Sequence, residues 1–365
     1  MEYSSQIPYY VGFSKLAHCT PVRFRKMRTF FSSMELAWRA SVSELREAGI
    51  EQETAETLVA EKEKVDIDVE MATILRENIL LVIEEDNEYP HALKHIYNPP
   101  WILYYRGTLP KKDECCLGIV GTRKMTSYGK IVTPRIVSEL AVGGVTTVSG
   151  LAFGIDALVH THTIEANGRT IAVLASGVDR RSMYPSAHHA LAERIVEQGG
   201  MLCSEYPPGT IPQTYFFPLR NRIISGLSRG ILVIEAGETS GALITARYAL
   251  DQNRDVFAVP GPVTSFMSVG PNELLKKGAY PVTCAKDILD AFSLSNIHEK
   301  TILKKREPLS GIEGQIMAVL SGNPIHIDEI SRLCNLDTSS LSGTLLIMEM
   351  KKIVRNVGAQ QYIQG

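Results

Sequence analysis

Between residues 80 and 292, short β-rich runs alternate with helical stretches, and this rhythm constrains the fold more than any other feature of the chain. The β-rich runs occupy 117–120, 145–148, 170–174, 230–234 and 255–259, and helical patterns at 129–142, 156–166, 188–198 and 241–251 separate them. Strand–helix alternation of this kind folds as an α/β protein: an open, mostly parallel sheet with helices on both faces. Ligands of such sheets bind at the carboxyl ends of the strands. Chemistry-bearing residues are therefore expected just after each β-run.

The flanks have a different texture. Residues 1–78 carry apolar side chains at three- and four-residue steps, including Phe24, Met27, Phe30, Phe31, Leu36, Leu45, Leu58 and Val59. Ser41 and Ser43, followed by Glu44 and Glu47, mark a helix start. A small helix-hairpin-helix or SAM-like bundle is expected there. Its charge is uneven: Arg23, Arg25, Lys26 and Arg28 cluster, whereas 44–70 is acidic. That leaves two readings, a nucleic-acid contact or a packing and dimerisation module. The sheet domain is placed at 79–293 and a serine- and lysine-bearing linker at 294–310. From 311 to 365, three short helical patterns precede a tail that turns at Gly358, the order of a winged helix-turn-helix.

Charge gives little direction. The formal net charge is −2 and the isoelectric point about 6.5, so nucleic-acid binding has to rest on local clusters. The six cysteines lack any C-x-x-C spacing, which argues against a zinc ribbon or dithiol redox centre. Scattered thiols, a polar N-terminus and the lack of an 18-residue apolar run lead to the expectation of a cytoplasmic protein without a membrane span. His160 and His162 diverge on a helix and His188 and His189 are adjacent, so no metal site is expected from them. No G-x-S-x-G elbow or Walker A loop occurs.

The strand ends are richer. The first run ends in Gly121-Thr122-Arg123, with Ser127-Tyr128-Gly129 opening a helix. Glycine admits close backbone approach, threonine supplies a hydroxyl, and arginine binds phosphate in a fork. An ordinary tight turn is the competing reading. The second run ends in Ser149-Gly150-Leu151-Ala152-Phe153-Gly154-Ile155-Asp156, where Asp156 serves equally as a helix cap. The densest cluster is Phe216-Phe217-Pro218-Leu219-Arg220-Asn221-Arg222. Arginine with an aromatic ring is the chemistry of a single-strand groove, where a base stacks for about 1–3 kcal/mol. Either arginine could instead pair with a structural carboxylate. On a helix the two lie on different faces and have different jobs. Ser240-Gly241 opens a further helix, with the Thr245 hydroxyl nearby, and Glu235 stands where a general base could sit.

Taken in order, these motifs resemble the DNA-processing protein A (DprA, or Smf) family. The resemblance rests on Gly121-Thr122-Arg123 with Tyr128-Gly129, Ser149-Gly150-x-Ala152-x-Gly154-Ile155-Asp156, Phe217-Pro218-x-Arg220-Asn221-Arg222, and Ser240-Gly241-Ala242-Leu243-x-Thr245-Ala246. It extends from Tyr89-Pro90 to Gly270-Pro271-Asn272 and Gly278-Ala279. The resemblance implies an extended Rossmann-like core that binds single-stranded DNA, forms a homodimer and helps load the recombinase RecA during natural transformation. It implies neither cofactor nor metal, and no catalytic residue. By motif position, Gly121, Thr122 and Arg123 resemble the family's phosphate loop, and Ser149 and Gly150 the same pocket. Arg220, Asn221 and Arg222 resemble its basic wall, Phe217 its base-facing aromatic, and Ser240 and Gly241 a further edge. Some members carry a basic residue shortly before that aromatic; here the run is Gln213-Thr214-Tyr215-Phe216, which lowers the expected positive charge. The 338–350 helix of the winged segment has no Arg or Lys, so protein contact competes with DNA contact there. The alternative to this reading is a Rossmann-like enzyme or sensor of nucleotide derivatives that uses Glu235.

Overall fold

Parity within single strands shows how the sheet is buried. In β3 (Cys116–Val120), Cys116 and Val120 pack on one face and Leu117 and Ile119 on the other, and all five residues are buried. A strand buried on both sides needs helices on both sides. The computed structural model describes residues 5–112, 114–294, 311–320, 324–350, 353–358 and 360–364. The chain forms two compact units, Met1–His298 and Glu299–Gly365.

The first unit holds a nine-stranded sheet. Besides β3, its strands are β1 (Leu80–Ile83), β2 (Ile102–Gly107), β4 (Thr146–Ser149), β5 (Thr170–Val173), β6 (Met201–Ser204), β7 (Gly230–Val233), β8 (Asp255–Ala258) and β9 (Tyr280–Pro281). Their spatial order is β1-β2-β6-β5-β4-β3-β7-β8-β9. From β6 to β9 all pairings are parallel, whereas β1–β2 and β2–β6 are antiparallel. The chain winds outward from β3 through β4, β5 and β6, then returns to β7 on the other side of β3. That reversal is the topological switch point. This is the open, mostly parallel α/β sheet expected from the strand–helix rhythm and the extended Rossmann-like architecture that the family resemblance implies. The rhythm does not mark the antiparallel edge strand β1 or its neighbour β2.

Before the sheet come six helices: α1 (Ile7–Ser14), α2 (Pro21–Phe30), α3 (Met34–Arg39), α4 (Val42–Glu47), α5 (Gln52–Lys62) and α6 (Ile67–Arg76). The Ser41–Glu44 pair forms a reciprocal capping box at the start of α4. Phe24, Met27, Leu45 and Leu58 are buried as expected, but Phe30 and Leu36 face solvent. The basic cluster on α2 is occupied by packing. Arg25 donates to Asn98 Oδ1 (3.1 Å) and the Pro99 carbonyl (2.8 Å), Lys26 to the Gly49 carbonyl (2.6 Å), and Arg28 binds Glu84 (3.1 Å) and Glu85. Phe24 stacks on Trp101 with ring centroids 4.6 Å apart. One apolar cluster therefore runs from α1 and α2 into β1, β2, β5 and β6, so residue 78 is no boundary in the core.

Within the sheet domain the helices are α7 (His91–Lys94), α8 (Ser127–Val142), α9 (Ile155–Glu165), α10 (His189–Glu197), α11 (Phe216–Gly226), α12 (Gly241–Asp251), α13 (Val269–Lys276) and α14 (Ala285–Ala291). α11 and α12 cover one face of the central strands, and α8, α9 and α14 the other.

In the second unit, helices Ile312–Val319, Ile327–Cys334 and Thr338–Met350 enclose a core of Ile316, Ile330, Leu341, Leu345 and Met348. β10 (Ile325–His326), β11 (Val354–Gly358) and β12 (Gln361–Gln364) form its three-stranded sheet, and Gly358 takes φ +100° at the turn of the wing. This is a winged helix. The expected linker lies, from residue 295 to 310, outside the described residues.

Candidate nucleic-acid interface

Glu235, just beyond β7, organises the switch point. Its backbone carbonyl accepts from Thr122 N (2.7 Å), and its carboxylate accepts from Thr126 N (2.9 Å) and the Thr126 hydroxyl. Gly129 is needed beside it, because a Cβ there would lie 2.3 Å from Glu235 Oε2. Thr126 then caps α8 by accepting from Tyr128 N and Gly129 N. Glu235 is thus a buried brace for the β3–α8 loop, 1% exposed, and it does not line the cavity described below. A general base must reach its substrate. This burial and the bonds it holds favour a structural role for Glu235 over the catalytic one.

The β4–α9 loop closes on that brace. Ser149 is fully buried and donates to the Ile119 carbonyl (2.7 Å). Gly154 takes φ +80°, and a Cβ there would sit 2.3 Å from the Thr122 carbonyl oxygen. Asp156 Oδ2 accepts from Gly150 N (3.1 Å) and Ala152 N (3.4 Å).

α11 distributes its polar residues by the 100° step of a helix. Arg220 points at the sheet, where Nη1 donates to the carbonyls of Gly150 (2.7 Å) and Val173, and Nε to Asn221 Oδ1 (3.2 Å). A Cβ on Gly150 would lie 2.4 Å from the guanidinium nitrogens, so a larger residue there would displace the Arg220 head group. Burial pushes Arg220 down to about 10, opposed by the Asp156 carboxylate, so the guanidinium stays charged at neutral pH. Burial likewise raises the Asp156 carboxyl, opposed by Arg220 and the backbone donors. Asn221 Nδ2 donates to the Gly241 carbonyl (3.2 Å), tying α11 to the start of α12. Arg222 turns away and pairs with Glu205 at 2.6 Å. Its expected place in the basic wall is not met, because residues two apart on a helix face different ways.

These elements enclose a cavity of about 490 Å³ at the switch point. Of the expected site residues, Gly121, Arg123, Phe217, Arg220, Asn221, Ser240 and Gly241 line it. Thr122, Ser149 and Arg222 do not; Gly150 lies beneath Arg220 and faces a small adjoining recess. The Thr122 hydroxyl accepts from Lys124 N (3.1 Å), a turn-holding bond. Arg123 is exposed, sits 4.8 Å over the Phe217 ring, and makes no ion pair with any described carboxylate. Tyr184 meets Phe217 edge-on with centroids 6.0 Å apart. Sequence reasoning did not select Tyr184, Thr214 or Thr245 as site residues, although all three line the cavity. Tyr184 was visible as an aromatic beside a proline after the third β-run. The Thr245 hydroxyl is buried and without a hydrogen-bond partner among the described residues. Among the described residues no group of three or more His, Cys, Asp or Glu could hold a metal ion, and no helix is long and apolar enough to cross a membrane.

A doubly wound sheet whose switch-point cavity carries an arginine without an ion pair to any described carboxylate, aromatic rings and a helix N-terminus defines a Rossmann-like protein. The chain belongs to the family described as DNA recombination-mediator protein A, whose model matches residues 80–293; a DprA winged helix domain matches 304–359. It is 42% identical to DNA processing protein DprA of Bacillus subtilis over 229 residues, 62% of this chain and 76% of that one. It is 32% identical to Protein Smf of Synechocystis over 98% of this chain and 99% of that one. The X-ray structure of DNA processing protein A from Streptococcus pneumoniae superposes with a TM-score of 0.66 at 30% identity, covering 80% of this chain and 98% of that one. The corresponding protein from Helicobacter pylori, whose structure describes a single-stranded DNA binding mode, gives 0.53 at 29% identity, covering 60% and 96%.

Proposed function

We propose that this chain binds single-stranded DNA at the switch-point cavity and acts as a recombination mediator that helps load RecA on single strands, without a chemical step of its own. The observation that carries the reading is Arg123: an exposed guanidinium over Phe217, free of carboxylates, at the mouth of a cavity floored by Arg220 and Asn221. Cation and ring together hold a phosphate and a base. The shared family and the single-strand binding described for the Helicobacter protein support it. Gly121, Phe217, Ser240 and Gly241 are proposed as direct contacts. Thr122, Ser149, Gly150 and Arg222 act by holding the loops that carry them. A homodimer through the Rossmann-like domain and a cytoplasmic setting complete the proposal. The winged helix is proposed to contact protein, since helix Thr338–Met350 has no basic residue and exposes Leu346 and Ile347.

Fluorescence anisotropy with labelled single- and double-stranded oligonucleotides across a salt series tests the reading. Single strands are expected to bind more tightly, with strong salt dependence. Arg123→Ala is expected to weaken binding to every sequence and flatten the log–log salt slope by about 0.7. Equal affinity for duplex, or an unchanged slope in the variant, would refute it.

A further inference from the structure

The loops that wall the switch-point cavity have a second side. Tyr184, Pro212 and Thr214 face that cavity, whereas Arg181, Ser182, Pro208, Gly209 and Ile211 of the same two loops line another groove of about 370 Å³. Its opposite wall is the N-terminal helical part: Lys15 at the end of α1, and Glu70 and Arg76 on α6. The ledge made by residues 207–212 contributes to both, with Pro212 lining the cavity and Pro208, Gly209 and Ile211 the groove. That ledge is firmly held. Gly177 N donates to the Thr210 carbonyl (3.0 Å), Thr210 N to the Pro207 carbonyl (3.2 Å), and Gly209 N to Asp179 Oδ1 (2.8 Å).

The groove's charges balance in number, with Lys15, Arg76 and Arg181 against Glu70, Glu77 and Asp179, but they differ in how far each is already engaged. Asp179 is buried and spends its carboxylate on Ser182 and Gly209. Glu70 is paired with Lys15 at 3.0 Å. Arg76 is 70% exposed and, among the described residues, its one ion pair is with its neighbour Glu77 at 3.7 Å, a weak surface contact. Arg181 is exposed and has no ion pair with a described carboxylate, and Arg180 beside it is exposed as well. On the crest of the ledge Ile211 is 73% exposed. A guanidinium with no ion pair to a described carboxylate and an exposed aliphatic side chain thus line one groove, offering a phosphate a charged partner and a base an apolar contact without ring stacking.

We propose that a single strand held at the switch-point cavity continues over the 207–212 ledge into this groove, where Arg181 and Arg76 bind phosphates and Ile211 contacts a base. The N-terminal helical part is then one wall of the DNA track. The inference rests on the reading of the cavity as a single-strand site, and the test separates the two.

Anisotropy is measured with the full chain and labelled oligothymidylates of about 6 and about 24 nucleotides, one near the short end of the roughly 4–16-nucleotide site sizes of other single-strand binders and one beyond the long end. The longer strand is expected to bind more tightly and with a steeper salt slope. The Arg76→Ala/Arg181→Ala double variant is expected to bind the longer strand roughly tenfold more weakly, with its slope flattened by about 1.4, or about 0.7 per phosphate. Its affinity for the shorter strand is expected to stay at the wild-type value. Arg181→Lys keeps the charge and is expected to keep the slope. If the double variant binds the longer strand like the wild type, or loses equally for both lengths, the track is overturned and the cavity reading stands. If wild-type protein binds neither strand, the cavity reading falls and takes the track with it.

Discussion

Arg123, Arg220 and Arg222 carry one functional group into three environments, and the environment decides the role of each. Arg123 stands over Phe217 in solvent, Arg222 neutralises Glu205, and Arg220 is buried among carbonyls beside Asp156. Removing Arg220 would leave the Asp156 carboxylate buried without its nearest cation. Its loss also leaves the buried Gly150 and Val173 carbonyls without their donor, and each unsatisfied buried polar group costs about 1–3 kcal/mol. Arg220→Met is therefore expected to lower the urea midpoint markedly, whereas Arg123→Ala leaves it unchanged while weakening DNA binding. Equal stability of the two variants would contradict the division of labour. Thr214 is exposed on the cavity and brings no charge. Thr214→Lys adds a cation at the rim and is expected to steepen the salt slope for single strands by about 0.7. An unchanged slope in that variant would show that the strand does not pass this part of the rim.

The strand-end loops owe their shape to the helices that follow them, and α9 shows what that costs. His160 on α9 is fully buried, with Nδ1 hydrogen-bonded to the Thr170 hydroxyl (2.7 Å) and Nε2 without a partner among the described residues. Burial, reinforced by His188 and Arg220, pushes its pKa from 6.5 down to about 3. The unfolded chain therefore takes up a proton below about 6.5 that the folded chain refuses. Stability is at its full value above that pH and falls as pH drops toward 3, by at most about 1.4 kcal/mol per unit from this group. His160→Asn is expected to flatten that dependence in urea unfolding at pH values between about 7 and 5, whatever it costs at neutral pH. A variant with the wild-type pH slope would remove His160 from the account. The sequence pattern marked this helix and its neighbours to within a few residues, because β-rich runs and cap residues are local signals. It did not mark β1 and β2, whose antiparallel pairing depends on distant partners. The same limit applies at the site. The motif Arg220-Asn221-Arg222 was legible, but only the fold shows that Glu205 claims Arg222 and that Thr126 claims Glu235.

At the scale of the whole molecule, the N-terminal helices and the sheet answer as one unit, while the winged helix has a core of its own. Leu81, Ile83, Ile102, Tyr104, Ala172, Leu174 and Leu202 lie in the cluster that includes Phe24, Met27 and Leu58 of the helical part. Burying each large apolar side chain is worth roughly 1.5–3 kcal/mol. Uncovering several at once approaches the 5–15 kcal/mol that holds a typical domain together. Cutting at the texture boundary near residue 78 should therefore be far more damaging than cutting after residue 298. The measurement is thermal unfolding followed by near-ultraviolet circular dichroism on fragments 1–298 and 79–298. The longer fragment is expected to keep fixed aromatic packing and a single cooperative transition near that of the full chain. The shorter one is expected to lose the near-ultraviolet signal, bind apolar dyes and aggregate. If 79–298 instead melts cooperatively at the same temperature as 1–298, the helical part adds little to the stability of the sheet, and the Phe24–Trp101 contact is a docking surface between two independent folds.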